Sequence, residues 1–205
     1  MLTAIAAVIT AAGGILIGTR GGADDARPAS EPPLVVVAED LGVDEIVEPG
    51  STYSDYTTMT DDSGTIVVDV PIEWTDVDGS PWVLDDGTAL PDVAASSDLD
   101  AFTQTYNAPG VEVAATDVGV IDVPTAMTQF APQECTNAGN EPYDDPMFEG
   151  EIAFFTDCSG TDTIYVLLAA SYKPDPERIA LMQAQLLTDA DIDAVVRVLD
   201  TFNFT

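Results

Sequence analysis

The chain has 205 residues, of which 37 are acidic, five are basic and none is histidine, for a formal net charge of −32. The cations are Arg20, Arg27, Lys173, Arg178 and Arg197, so Pro28 to Tyr172 carries no positive side chain. Such a segment cannot neutralise phosphates, which excludes nucleic-acid binding, clamping of phosphorylated substrates and adhesion to an anionic membrane surface.

Met1 to Gly18 is uncharged and mostly small and apolar, long enough as a helix to cross a thin bilayer. The alternative is a signal-peptide core, with Gly21-Gly22-Ala23 as a small-residue cleavage site and a basic amino end missing upstream. Residues 1–20 therefore read as a transmembrane anchor or signal segment. Arg20 on the carboxyl side favours a cytoplasmic domain by the positive-inside tendency, and two cysteines favour export. No cysteine lies near this segment, which argues against a lipid anchor. Residues 21–51 read as an acidic linker rich in Pro, Gly and Ala, with an apolar island at Leu34-Val35-Val36-Val37.

Residues 52–205 read as the folded part. Tyr53 to Thr60 is strand-like, Asp61-Asp62-Ser63-Gly64 is a turn, and Thr65 to Val70 returns as a strand, which makes a hairpin. Ile66, Val68 and Val70 share one face, Pro71 ends the strand, and Trp74 brings a large apolar surface back onto the sheet. Trp82-Val83-Leu84 and the turn Asp85-Asp86-Gly87 follow, with a short strand over Leu90 to Ser96. Ser97 opens a helix three residues before Asp100, and Leu99, Phe102 and Tyr106 face the sheet. Asn107-Ala108-Pro109-Gly110 ends it, and Val111 to Ala115 alternates as a strand. Pro124 in a first turn predicts a short helix to Phe130, with Val123, Met127 and Phe130 on one face.

Cys135 and Cys158 enclose a loop rich in Asn, Gly, Pro and Asp and a strand over Glu151 to Thr156. One disulfide is expected in an exported chain, and two free thiols in a cytosolic one. Thr163 to Ser171 predicts an interior strand buried on both faces, and Lys173 to Pro176 breaks it. Ile179 to Leu186 is a strand with Gln183 and Gln185 on the wetter face. Thr188 caps a closing helix, Asp189 to Phe202, with acidic residues in its first turn and Ile192, Val195, Val196, Leu199 and Phe202 as its buried stripe. Together these predict an α+β domain, a mostly antiparallel sheet with covering helices.

The turn DDSG, the strand ending VDVPIEW, the helix entry AASSDLDAF, the strand APGVEVAA and the final helix TDADIDAVVRVLDTF resemble the Mog1/PsbP-like domains, over Tyr53 to Phe202. Most similar are the exported versions common in actinobacteria, which stand alone as envelope proteins or form tails of membrane-anchored kinases and trypsin-like proteases. The resemblance implies an α/β/α sandwich and a non-catalytic binding or accessory role. It carries over no functional residues, because the family shares no active-site motif.

Asp62-Ser63-Gly64-Thr65 matches the string of aspartic proteases, with Asp85-Asp86-Gly87-Thr88 as a distorted echo, but no apolar strand precedes it. Asp76-x-Asp78-Gly79-Ser80 suggests a calcium loop, yet Pro81 and Gly87 stand where an EF-hand needs Gly and a bidentate acid. An irregular oxygen site drawing on Asp76, Asp78, Asp85 or Asp86 is the calcium alternative. Asp144, Asp145, Glu149 and Glu151 form a second acidic cluster, and a carboxylate-based hydrolase is the third reading, though no spacing singles out a pair. Ser159 and Ser171 have no histidine base, and a Ser–Lys dyad would have to use Lys173. Trp74, Trp82 and Tyr106 are candidates to line a ligand groove. The expected partner is a protein or envelope component, including a basic protein surface. The surplus carboxylates repel one another, which salt or bound cations relieve, so a saline habitat is a second source of the acidity.

Overall fold

Nine consecutive residues, Ile164–Tyr172 (β10), are apolar on both faces through Ala170, and this strand is buried on both sides of a seven-stranded antiparallel sheet. The computed structural model describes residues 52–205. The expectations for the anchor or signal segment, the linker and the Leu34–Val37 island lie outside these residues. Among the described residues no helix is long and apolar enough to cross a membrane. The fold is α+β, mostly antiparallel sheet with few helices.

The first hairpin joins Tyr56–Thr60 (β1) to Ile66–Pro71 (β2), as the turn chemistry predicts. Asp61 builds that turn: one carboxylate oxygen accepts from Ile66 N at 2.6 Å and the other from Ser63 N at 3.0 Å. Gly64 takes the left-handed φ of +73° that the turn requires. Three short strands follow, Asp76–Asp78 (β3), Trp82–Val83 (β4) and Ala89–Leu90 (β5), and then Asp92–Ser96 (β6). Helix α1, Leu99–Gln104, is capped by Asp98, whose side chain accepts from Ala101 N. The cap is thus one residue later than the expected Ser97, since it is Asp98 that has the extended backbone and accepts from the N–H three residues on.

Gly110–Asp117 (β7) leads to helix α2, Val123–Gln129, capped by Asp122 with Pro124 in its first turn. Thr136–Asp144 (β8) and Phe148–Thr156 (β9) form a long hairpin, and a 3-10 turn at Cys158–Gly160 precedes β10. Asp175–Leu186 (β11), helix α3 over Asp189–Thr201, and Asn203–Phe204 (β12) complete the chain.

The large sheet has the order β3-β6-β7-β11-β10-β9-β8. Its alternating side chains enter different cores. Val166, Leu168 and Ala170 of β10 pack toward α3, while Tyr165, Leu167 and Ala169 face α2 and the disulfide. On the α3 side Ile192, Val195, Leu199 and Phe202 form the expected stripe, with Val198 and Ala194 buried beside them and Val196 only partly so. A three-stranded sheet, β1-β2-β12, packs on the same side. The Trp74-bearing segment therefore does flank a sheet, but the small one rather than the large one. Gly150 allows the β9–β10 pair to close, since a Cβ there would stand 2.1 Å from the Ala169 carbonyl oxygen.

Cys135 and Cys158 form a disulfide, which ties the segment before β8 to the turn after β9. Disulfides persist in oxidising compartments, so the bond is consistent with an extracytoplasmic domain. The crosslink closes a loop of 23 residues, and loop-closure entropy then gives about 3 kcal/mol. Replacing both cysteines by alanine should lower the unfolding free energy by about 3 kcal/mol in urea titrations. A pair of alanines within about 0.5 kcal/mol of the wild type would show that the crosslink constrains nothing in the unfolded chain.

Candidate functional site

The face of the large sheet opposite α3 carries the polar groups. Strand pairing sets a transverse row across it: Asp78, Ala94, Glu112, Gln183, Leu167, Ala153 and Asn140 lie side by side on successive strands. The neighbouring row runs Asp76, Ser96, Gly110, Gln185, Tyr165, Phe155 and Asn137. The polar residues cluster at the β7–β11–β10 centre because β6 and β7 offer small side chains there, Ala94 and Gly110.

A cavity of about 340 Å³ opens over this centre. Its floor is Glu112, Tyr165, Gln183 and Gln185. One wall is the end of α1 and the residues after it, Phe102 to Tyr106, and the other is Phe130, Pro132 and Glu134, between α2 and the disulfide. The volume falls at the lower end of the range for small-molecule sites. Tyr106 meets Tyr165 edge to face, with ring centroids 6.2 Å apart, and Tyr165 meets Phe155 in the same way at 6.1 Å.

The polar floor is internally bonded. The Tyr165 hydroxyl donates to Gln183 Oε1, and Gln183 Nε2 reaches Glu112 Oε2 at 3.4 Å. Gln185 Nε2 donates to the carbonyls of Phe102 at 2.7 Å and Thr105 at 3.0 Å, holding the end of α1 on the sheet. Those two acceptors fix the orientation of the amide, which leaves Gln185 Oε1 buried without a partner. Burial pushes the Glu112 carboxyl above its ordinary range, and burial followed by the nearby Glu112 charge pushes the Tyr165 phenol up. Glu134 on the opposite wall accepts from the Ser159 hydroxyl.

Of the predicted groove residues, only Tyr106 lines this cavity. Trp82 lines a separate cavity of about 350 Å³ with Val83, Leu84, Asp85, Asp86, Val120, Ile121 and Gln129. Trp74 belongs to neither. It is 2% exposed on the α3 side, where its Nε1 donates to the Tyr53 hydroxyl at 2.9 Å. The three aromatic residues therefore do not share a groove, because the sheet separates Trp74 from the other two.

Nor do the four aspartates form a common cage. Asp76 Oδ2 accepts from Leu99 N at 2.9 Å, Asp78 Oδ1 from Ser80 N at 2.8 Å, and Asp86 Oδ1 from Thr88 N at 2.8 Å. Asp85 occupies the turn of the β4–β5 hairpin, apart from β3. Asp78 and Asp86 titrate below the ordinary range, each because of the Ser80 or Thr88 bonds they accept. Among the described residues no three of His, Cys, Asp and Glu stand close enough to hold a metal ion.

The other sequence candidates resolve into structure. Asp62-Ser63-Gly64-Thr65 and Asp85-Asp86-Gly87-Thr88 are hairpin turns of two different sheets. Lys173 pairs with Asp144 and with the Asp145 carbonyl, and the Asp144 hydrogen bond raises its pKa further, so it stays a cation rather than a base. Asp145 accepts from Met147 N at 2.6 Å and Phe148 N at 2.7 Å, which makes it the turn residue between β8 and β9.

The sequence reading missed Glu112, Tyr165, Gln183 and Gln185 as a group. It placed both glutamines on the wetter face, yet Gln185 is only 3% exposed. The available signal was the pair of amides at alternate positions of an otherwise apolar strand, Ile179 to Leu186. No protein-family model and no curated protein sequence matches this chain.

Proposed function

We propose that this chain is an extracytoplasmic accessory module, membrane-anchored or secreted, whose Mog1/PsbP-like α/β/α domain binds a protein or envelope component and catalyses no reaction. One observation carries the reading: the described domain sets only three positive side chains against its many carboxylates. Eight of the 37 acidic residues precede Ser51, which leaves 29 beside Lys173, Arg178 and Arg197. Lys173 pairs with Asp144, Arg197 with Asp69, and Arg178 lies 4.2 Å from the centre of the Phe204 ring. A surface so acidic attracts basic partners and speeds encounter with them, an effect that falls steeply with salt.

Other observations support the same reading. The seven-stranded sheet has α3 on one face and α1 and α2 on the other, an arrangement of the kind the resemblance implies. The disulfide suits an oxidising compartment. The polar groups in the cavity over the β7–β11–β10 centre are amides, a phenol and a carboxylate held in hydrogen bonds, which is recognition chemistry more than bond-breaking chemistry.

Two measurements test it. An alkaline phosphatase fused after Thr205, active only when exported, should be active in cells; an inactive fusion rules out export. Purified full-length chain should leave ester, glycoside and peptide substrates unchanged in overnight NMR assays. Turnover that disappears in Glu112→Gln or Asp92→Asn would replace the module with a carboxylate hydrolase.

A further inference from the structure

We infer that the cavity between α1, α2 and the sheet is a binding site for a small organic cation carrying N–H donors, an alkylammonium or guanidinium group. The inference rests on the binding-module reading and names the chemistry that the module recognises. Three features point the same way. Every charged residue that lines the cavity is a glutamate, Glu112 on the floor and Glu134 on the wall. Gln185 is 97% buried by its 3% exposure, its Nε2 is taken by two carbonyls, and its Oε1 has no donor. A buried acceptor left bare costs free energy that a ligand N–H recovers. Tyr106, Tyr165 and Phe130 supply aromatic surface beside these acceptors, and such faces attract a desolvated cation.

The remaining polar contacts fit this division of labour. The Tyr165 hydroxyl spends its hydrogen on Gln183 Oε1, and one Gln183 N–H turns to Glu112, so the phenol keeps no donor while Gln185 Oε1 stays open as an acceptor. Burial already makes the Glu112 carboxylate costly to ionise, and a cation placed against it relieves that cost. A neutral donor can fill the Gln185 Oε1 bond but does not relieve the Glu112 charge, and an anionic ligand is repelled by both glutamates. The cation can arrive as a free amine or as the side chain of a basic partner, with the same chemistry at the cavity.

Isothermal titration calorimetry on the full-length chain separates these cases. The probes are butylamine, butylguanidinium, butyltrimethylammonium, butanol and a blocked Gly-Arg-Gly peptide. The titrations run at about 1 M salt, where the screening length shrinks to about 3 Å and exposed carboxylates are silenced. The expected result is saturable one-site binding of butylamine or butylguanidinium. Binding should be at least about tenfold weaker for butyltrimethylammonium, which has no N–H, and for the Glu112→Gln variant. Tyr106→Ala should weaken binding as well, and Asp85→Asn, on the separate Trp82 cavity, should not. Tighter binding of the peptide identifies a partner side chain, and tighter binding of the free cation identifies a small metabolite. No saturable heat with either N–H cation, or equal affinity in Glu112→Gln, overturns the site and leaves the module reading untouched. Binding accompanied by conversion of the amine to a new compound overturns the module reading and leaves the site standing.

Discussion

Asp92→Asn should stabilise the domain by about 4 kcal/mol at pH 7 and leave it nearly unchanged at pH 4. Asp92 begins β6, is 6% exposed, and has one carboxylate oxygen buried without a hydrogen-bond partner. Burial, followed by the charges of Glu112, Asp78 and Asp61, pushes its pKa from 3.8 to about 8. The direction of the linkage follows. Below pH 3.8 both folded and unfolded chains hold the proton, and Asp92 costs nothing through ionisation. As pH rises above that value the unfolded chain releases the proton while the folded chain keeps it, so stability falls. The loss is about 1.4 kcal/mol per unit until the folded group itself ionises near pH 8. An asparagine has no proton to release, so the variant escapes the loss over that window. General repulsion among the 29 domain carboxylates also changes with pH, but it is nearly common to both proteins and cancels in the difference. Urea unfolding of wild type and variant at pH 4 and pH 7 measures it. A stability difference that does not widen between the two would show that Asp92 is ionised in the folded domain.

The elements legible in the sequence were those whose periodicity had a single structural solution. β10 is apolar at every position through Ala170, and only an interior strand satisfies that. The stripe of α3 and the hairpin β1–β2 repeat at the spacing of their own geometry. β8 was hidden, because Thr136–Asp144 contains Asn, Gly and Pro, poor strand formers in isolation. It is a strand because β9 templates it, because the Cys135–Cys158 bond fixes its start, and because it lies at the sheet edge. There Pro142 needs no donor, and a register shift between Asn137 and Gly139 is tolerated. Alternation in Thr65 to Val70 gave the buried face of β2 but not its sheet, since membership depends on β12, two residues at the far end of the chain. The site was less legible still. The acidic clusters that attract the eye are spent on their own turns, as with Asp61, Asp78, Asp86 and Asp145. The residues that meet over the sheet, Glu112, Tyr165, Gln183 and Gln185, come from three strands, and only the register brings them together.

Asp191→Ala should have an effect of similar size and opposite sign, a loss of about 4 kcal/mol. Like Asp92, Asp191 is buried, here with no exposed surface, but every direction around its carboxylate is occupied. Oδ2 accepts from Leu187 N at 3.0 Å, Thr188 N at 2.8 Å and the Thr188 hydroxyl at 3.0 Å, and Oδ1 accepts from the Tyr53 hydroxyl. Tyr53 in turn accepts from Trp74 Nε1. A single carboxylate thus caps the amino end of α3 and anchors the segments on either side of the β1–β2 hairpin to it. Alanine leaves two backbone N–H groups and a phenol without acceptors, each costing about 1–3 kcal/mol when buried. Asp191→Asn keeps one oxygen but turns an NH2 toward donors, so it should recover only part of the loss. Two buried carboxylates of one domain therefore differ in sign because one has its hydrogen-bond partners and the other lacks them. Urea unfolding of Asp191→Ala, Tyr53→Phe and the double variant checks the argument. The cycle should show a Tyr53–Asp191 coupling of about 1 kcal/mol or more. An Asp191→Ala domain within about 1 kcal/mol of wild type would mean that water replaces the carboxylate at α3.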